Sequence, residues 1–189
     1  MNEEQLKMTP LKTGEIIKNI YAINNTFVNF FIIKHNGGIT AIDAGADKDL
    51  SLQALEQLGI NKDSITTLLM THDHGDHTAM VMEFKNAKIY GMGLQNNIAD
   101  GDKLDIQGET VGVIHTPGHK DNHVSFLWNS KYLFAGDVMS IKDDKIDIFN
   151  HVYNKSSEMQ REDLKRLSQI EGIEYIISSH YGITDKPIW

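Results

Sequence analysis

The sequence predicts an α/β protein in which two similar layers pack face to face and share one functional edge. Strand-like apolar runs alternate with two helical segments whose leucines and isoleucines recur on one face. The chain also carries one pattern twice: a hairpin that ends in Asp, then a helix, then a strand that ends in His. The first copy ends in Asp43 and His72, and the second in Asp137 and His180.

Composition sets the broad class. The chain has 189 residues, of which 40% are hydrophobic and 23% are charged, so we expect one globular domain over 1–189. A net charge of −8 argues against long nucleic acids and anionic membranes as partners, and leaves a small-molecule substrate. Because there is no Cys, disulfides, thiolate ligands and a Cys nucleophile are excluded.

The start Met-Asn-Glu-Glu-Gln has no basic region followed by an apolar one, so no signal peptide is expected. The sequence also contains no apolar run of the length that a membrane span needs. We therefore expect a soluble cytoplasmic protein. Its oligomeric state is left open.

The apolar runs and turn signals predict the secondary structure. Asn36-Gly37-Gly38 predicts a hairpin turn, and Ser157-Glu158-Met159-Gln160 resembles a capping box that opens a helix to Ile170. Helices are also predicted over 48–58 and 77–84. The predicted strands are 16–23, 27–33, 39–44, 65–70, 87–91, 111–115, 124–128, 132–135 and 173–177. Segments 91–108 and 140–155 are predicted to be irregular and to determine the substrate.

The segment from Thr71 to His77 contains the strongest chemical signal. It reads Thr-His-Asp-His-Gly-Asp-His and follows the apolar run 65–70 directly. Three His and an Asp within six residues, beside a glycine that permits a tight backbone path, predict a metal site rather than a solvated loop. Imidazole and carboxylate ligands suit zinc, iron or manganese.

Three further elements follow in a fixed order. They are Thr116-Pro117-Gly118-His119, then Gly136-Asp137, then the late His180. Together with the H-x-H-x-D-H pattern they resemble the metallo-β-lactamase superfamily over roughly residues 16–182.

This resemblance implies a four-layer αββα sandwich with the site at one edge. It implies two divalent metal ions, Zn²⁺ before Fe or Mn. His72, His74 and His119 would hold the first, Asp76, His77 and His180 the second, and Asp137 would bridge them. The set lacks Cys ligands, as in the glyoxalase II, lactonase and tRNA-processing branches.

The ligand set also indicates a reaction. Two dications about 3.5–4 Å apart can share a water and lower its pKa toward 7, and the resulting bridging hydroxide can attack a carbonyl carbon. Asp76 is the expected catalytic group, which orients this nucleophile and accepts its proton. We expect a hydrolase of a small thioester, lactone or ester, similar to glyoxalase II.

Two polar residues outside the ligand set carry weaker expectations. Asp43 is a candidate hydrogen-bond partner of a ligand histidine, or else a turn or helix-capping residue. His123 matches a second histidine of the family pattern and is expected to make a structural hydrogen bond near the site. The substrate-binding residues are unknown at this point.

Three other functions remain open. One is an oxidoreductase of the persulfide dioxygenase type, which resembles this family but uses one iron held by two His and one Asp. Another is a phosphodiesterase or nuclease, which the acidic charge disfavours. The third is a metal-binding or partner-binding module without catalysis.

Overall fold

The computed structural model describes residues 7–189, so the N-terminal Met-Asn-Glu-Glu-Gln lies outside the described residues. Two large β-sheets and two α-helices dominate. Within residues 7–189, no helix combines the length and apolar character that a membrane crossing requires.

The first sheet has seven strands in chain order. Pairing is antiparallel from β1 to β4 and parallel from β4 to β7. The strands are β1 Gly14–Ile17, β2 Ile20–Asn25, β3 Val28–His35, β4 Gly38–Ile42, β5 Ile65–Leu69, β6 Lys88–Gly91 and β7 Asn96–Asn97. Helix α1, Lys48–Gln57, connects β4 to β5.

The second sheet has six strands in the order β15-β14-β11-β10-β9-β8. Its strands are β8 Lys103–Ile106, β9 Glu109–His115, β10 Val124–Trp128, β11 Tyr132–Gly136, β14 Tyr175–Ser178 and β15 Gly182–Thr184. Helix α2, Ser157–Leu167, precedes β14, which pairs in parallel with β11. A separate hairpin joins β12, Met139–Lys142, to β13, Lys145–Ile148.

Alternation along the strands builds the four predicted layers. On β3, Phe31 packs between the two sheets against Phe126 and Phe134 of the second sheet. Its neighbour Phe30 points the other way, into a cluster with Leu55 of α1. A third cluster joins Leu167 of α2 to the outer face of the second sheet. The order is therefore α1, sheet, sheet, α2, which confirms the αββα sandwich.

The predicted repeat is also present. In each half a hairpin leads through a helix to a strand that lies parallel to the second hairpin strand. Since parallel neighbours end at the same edge of a sheet, Asp43 comes to lie beside Thr71. Asp137 similarly follows β11 next to Ser179 and His180, which follow β14.

The predicted helix over 77–84 is wrong. Gly75–His77 forms a short 3₁₀ turn, and turns continue to residue 83. The backbone N–H groups of Ala79 and Met80 donate to the carbonyls of Gly45 and Ala44, at 2.9 Å each. Because these donors bond to the β4–α1 connection, they are not available to a regular helix.

Other differences arise from turns that the apolar pattern does not show. The run 16–23 is two strands, because Asn19 adopts φ +66° and closes a tight turn. Asp143 and Asp144, at φ +51° and +63°, make 140–155 largely a hairpin. Residues 91–108 include β7 and β8, and β15 was not predicted.

The start of α2 differs from the predicted capping box by one residue. Ser156 is the N-cap, and its Oγ accepts a hydrogen bond from Met159 N at 3.2 Å. Gln160 does not complete a box, because its Nε2 donates to the carbonyl of Asp137 at 3.1 Å. The beginning of this helix is thereby connected to the strand that delivers Asp137.

Gly118 packs tightly against α2, and this contact generates a prediction. A Cβ at this position would lie 2.3 Å from Gln160 N, which is backbone. We expect Gly118→Ala to lower the free energy of unfolding by about 1–3 kcal/mol, as overpacking does. Urea denaturation of both proteins at equal metal content measures this change in the free energy of unfolding. Gly112→Ala is the matched control, since its Cβ would meet Leu127 Cβ at an ordinary 3.6 Å. Equal midpoints for the two variants would contradict the prediction.

Candidate metal centre

All seven predicted ligands converge at the shared edge of the two sheets. Their donor atoms form two groups, and within each group the atoms lie within 4.8 Å of one another. The first group is His72, His74, His119 and Asp137; the second is Asp76, His77 and His180. These are the same two sets that the family resemblance implies, with Asp137 grouped with the first three histidines.

The three histidines of the first group present their nitrogens to one point. His74 Nδ1 lies 3.0 Å from His72 Nε2 and 3.0 Å from His119 Nε2. In a tetrahedral zinc site, Zn–N bonds of about 2.0–2.1 Å separate the ligand nitrogens by roughly 3.3 Å. The spacing therefore fits a common metal ion closely.

Asp137 lies between the two groups. Its Oδ2 is 3.3 Å from His77 Nε2 and 3.2 Å from His180 Nε2 in the second group. The same oxygen is 3.7 Å from His72 Nε2 and 3.6 Å from His119 Nε2 in the first. One carboxylate oxygen thus faces four imidazoles, two from each group.

Asp76 completes the second group from the solvent side. Its Oδ2 is 3.5 Å from His180 Nε2 and 3.9 Å from His77 Nε2. Its side chain is 26% exposed, whereas those of His77 and His180 are buried. Asp76 can therefore face both a metal ion and a molecule that enters from solvent.

Several buried polar atoms at this centre lack a partner. Among the described residues, His77 Nε2, His180 Nε2 and Asp137 Oδ1 accept and donate no hydrogen bond. Buried polar atoms are nearly always paired, because leaving them unpaired costs free energy. Three such atoms around one point are suited to bind a cation, so the residues fit the metal ions that the resemblance implies.

Asp43 orients the strand-end histidines. Its Oδ2 accepts from His77 Nδ1 at 2.8 Å and from Thr71 Oγ1 at 2.8 Å. Thr71 Oγ1 in turn accepts from His72 Nδ1 at 3.0 Å. Protons held on both Nδ1 atoms leave the Nε2 lone pairs free for a metal. Asp47, not Asp43, caps helix α1.

His123 supports Asp137 through the backbone. Its Nε2 accepts a hydrogen bond from Asp137 N at 3.0 Å, and its Nδ1 donates to Thr116 Oγ1 at 2.7 Å. Complete burial, with the nearby His119, lowers the pKa of His123 well below its usual value. It is thus a neutral positioning group, and the structural hydrogen bond expected of it is present.

Three contacts around the ligands gave no sequence signal. His119 Nδ1 donates to Asn154 Oδ1 at 3.2 Å, and His180 Nδ1 donates to the carbonyl of Phe27 at 2.7 Å. Asn154 also bonds to Gln160. Asn154 and Gln160 lie 35 and 41 residues after His119 in the chain. The partner of His180 is the backbone carbonyl of Phe27, which any residue type could provide.

The electrostatics of the centre favour a cation. Burial opposes protonation of His77, but the carboxylates of Asp137 and Asp43 outweigh it and raise the pKa of His77 well above its usual value. Burial also disfavours ionised Asp137, yet His180 and His77 hold the pKa of Asp137 well below its usual range. The pKa of His72 is well below normal, through burial and the nearby His77. His72 is therefore neutral, and its imidazole beside the Asp137 carboxylate offers a pair of groups that can bind a metal ion.

A cavity of about 340 Å³ opens onto the centre. Its polar wall consists of ligand-group residues and Gly75, and its other wall is formed by Met8, Phe27, Phe149 and Tyr153. Phe149 and Tyr153 come from segment 140–155, one of the two segments predicted to determine the substrate. Segment 91–108 does not line this cavity. Asp73 does not line it and pairs with Lys120 at 2.5 Å.

Comparison with known proteins agrees with the fold. A family model for the metallo-beta-lactamase superfamily matches residues 23–93. A metallo-beta-lactamase family protein from Thermus thermophilus superimposes with a TM-score of 0.74 at 18% identity, over 91% of this chain and 76% of that one. An archaeal superfamily protein from Sulfolobus tokodaii gives 0.68 at 16% identity, over 89% and 82%.

The fold of this chain is that of the metallo-β-lactamase superfamily. The chain's curated relatives include proteins named hydroxyacylglutathione hydrolase. The one from Aeromonas hydrophila subsp. hydrophila is 32% identical over 129 residues, which are 62% of this chain and 48% of that protein. The one from Rhizobium meliloti (strain 1021) is 29% identical over 182 residues, 84% and 68%. The chain spans about half the length of the Aeromonas relative.

The contact between Asp43 and His77 generates a prediction for metal affinity. Asp43 has φ +61°, which Asn also tolerates, so Asp43→Asn should keep the backbone while removing the charge. We expect about 10–100-fold weaker metal binding, the usual effect of losing such a partner. Competition with a chelator measures it. Asp47→Asn, which retains a good N-cap, is the control and should bind as the parent does. Equal affinity for both variants would refute the role of Asp43.

Proposed function

We propose that this protein is a metal-dependent hydrolase with two metal ions, which cleaves a small thioester, lactone or ester. The observation that carries the proposal is Asp137 Oδ2, which faces both groups of histidine nitrogens beside a substrate-sized cavity. His72, His74 and His119 would hold one ion, and Asp76, His77 and His180 the other. The relatives named hydroxyacylglutathione hydrolase support thioester hydrolysis.

When bound, two divalent ions would lower the pKa of a water and polarise the substrate carbonyl. The protein provides the remaining functions. Asp76 lies at the cavity wall, where one carboxylate oxygen faces the histidines and the other can accept the proton of the attacking water. We assign it as the general base, a role that contributes typically about 10²–10⁴-fold.

The bonds balance in one hydrolytic cycle. A carbon–oxygen bond forms between water and the acyl carbon, and the bond from that carbon to sulfur or oxygen breaks. Asp76 takes one proton from the water and returns it to the leaving thiolate or alkoxide. A carboxylic acid and a thiol or alcohol leave the cavity, and the protein is unchanged.

Oxygen-dependent persulfide chemistry is the second candidate, and metal content separates the two. That branch uses a single iron held by two His and one Asp, whereas here Asp76, His77 and His180 form a second complete group. A phosphodiesterase receives less support, because the net charge is −8 and no Lys or Arg among residues 7–189 lines the cavity.

Metal content is the first test of the proposed function. We expect elemental analysis of protein purified without added metal or chelator to give about two divalent ions per chain, zinc before iron or manganese. Removal with a chelator should abolish hydrolysis of a thioester and ester panel, and readdition of zinc should restore it. A single iron per chain, with oxygen consumption on a persulfide, would replace this proposal by the second candidate.

The role assigned to Asp76 generates a separate prediction. Asp76→Ala should lower kcat by at least about 100-fold, because the proton acceptor is lost. Circular dichroism and metal analysis should show a folded protein that still holds the ion bound by the first group. Asp73 lies three residues earlier in the same loop, and Asp73→Ala removes an exposed ion pair with Lys120 outside the cavity, so its kcat should stay within about threefold. Similar losses in both variants would contradict the assignment.

A further inference from the structure

We propose that the group bound beside the metal centre is apolar and uncharged, and that Phe27, Phe149 and Tyr153 select it. We call these three residues the aromatic wall. This inference rests on the proposed hydrolase function and names its substrate class: neutral esters, lactones or thioesters with an aromatic or branched aliphatic substituent.

The aromatic wall lies directly against the ligands. Phe149 is buried, and its ring centroid is 5.2 Å from that of His119 and 5.2 Å from that of His180. Because these histidines belong to different ligand groups, Phe149 spans both metal positions. A substrate whose carbonyl reaches the two positions would therefore lie close to this ring.

Two further aromatic rings belong to the wall. Phe27 stacks on His180 with ring centroids 6.0 Å apart and an angle of 10° between the planes. The ring centroid of Tyr153 is 6.3 Å from that of Phe149. Met8 adds a further apolar side chain to the same cavity. Aromatic surfaces of this kind bind rings and branched chains through burial and offset contacts.

The charges around the cavity disfavour a carboxylate on the substrate. Among residues 7–189, no Lys or Arg lines the cavity, so no described side chain there offers a counterion. The two lysines next to the His119 loop are already paired, Lys120 with Asp73 and Lys155 with Asp121. An anionic substituent against the wall would lose water without gaining a partner, which is costly. Metal ions bound at the centre would polarise the reacting carbonyl instead.

A set of matched thioesters tests this substrate class in the metal-loaded protein. The neutral reference is the 3-phenylpropanoyl thioester of N-acetylcysteamine. The glutaryl thioester of the same thiol adds a carboxylate to the acyl side, and 3-phenylpropanoyl glutathione adds carboxylates to the thiol side. We expect kcat/KM for the reference to exceed both by at least about tenfold, the scale of discrimination in an apolar pocket.

The outcomes distinguish an error in the proposed substrate class from an error in the proposed hydrolase function. A charged thioester that is cleaved as fast as the reference overturns the neutral class and leaves the hydrolase intact. Absence of cleavage of all three, with two ions bound per chain, counts against the hydrolase itself. Faster cleavage of the glutathione thioester would show that its carboxylates find cationic partners, contrary to the inference.

Variants of the wall test which residues select the substrate. The acetyl thioester of N-acetylcysteamine serves as a small substrate that does not reach the wall. Phe149→Ala should lower kcat/KM for the 3-phenylpropanoyl thioester by about 10–100-fold and for this acetyl thioester by less than about threefold. Tyr153→Arg should raise the ratio of glutaryl to 3-phenylpropanoyl cleavage by at least about tenfold. Val152→Ala is the control, since Val152 is 61% exposed and outside the cavity. Metal content is measured for each variant. Equal losses on acetyl and 3-phenylpropanoyl substrates at intact metal content would show a structural role only.

Discussion

The buried Asp137 carboxylate is the interaction on which the rest of the centre depends. Its Oδ2 lies within 3.2–3.7 Å of four histidine nitrogens from both halves of the chain. A carboxylate at this depth is costly without cations around it. Both sheets end at one edge, which brings histidines from each half of the chain around this carboxylate. His123 holds Asp137 in place by accepting a hydrogen bond from the Asp137 backbone N–H. Neighbouring ligands are then oriented by their own partners, above all Asp43.

The sandwich and the convergence of the seven candidate ligands follow from the sequence for a simple reason. Strand ends are readable as apolar runs, and all seven candidate ligands lie at such ends or in the loops directly after them. The Asp–helix–strand–His repeat states which ends are neighbours, because it specifies parallel pairing of β4 with β5 and of β11 with β14. The local sequence pattern therefore predicts which strands are neighbours in the fold.

What the sequence does not reveal depends on contacts between distant segments. The 77–84 segment has the composition of a helix, but Ala44 and Gly45 take its backbone donors. Asn154 and Gln160 stand in polar surroundings that resemble any loop or cap, and their role arises when α2 packs on the His119 loop. The aromatic wall is equally hidden, since Phe27 and Phe149 are 122 positions apart and look like ordinary core residues.

The β12–β13 hairpin has a consequence for how such a protein can diversify. Residues of the metal centre come from the sheet edges, whereas Phe149 and Tyr153 follow a hairpin that forms its own small sheet. Because this hairpin pairs with neither large sheet, changes in the loop that follows it can alter the shape of the cavity without changing the strand pairing of the sandwich. Selection can therefore act on substrate range and on metal retention through different parts of one gene. Asn154 is the point where the two are joined, because it follows the hairpin and contacts His119.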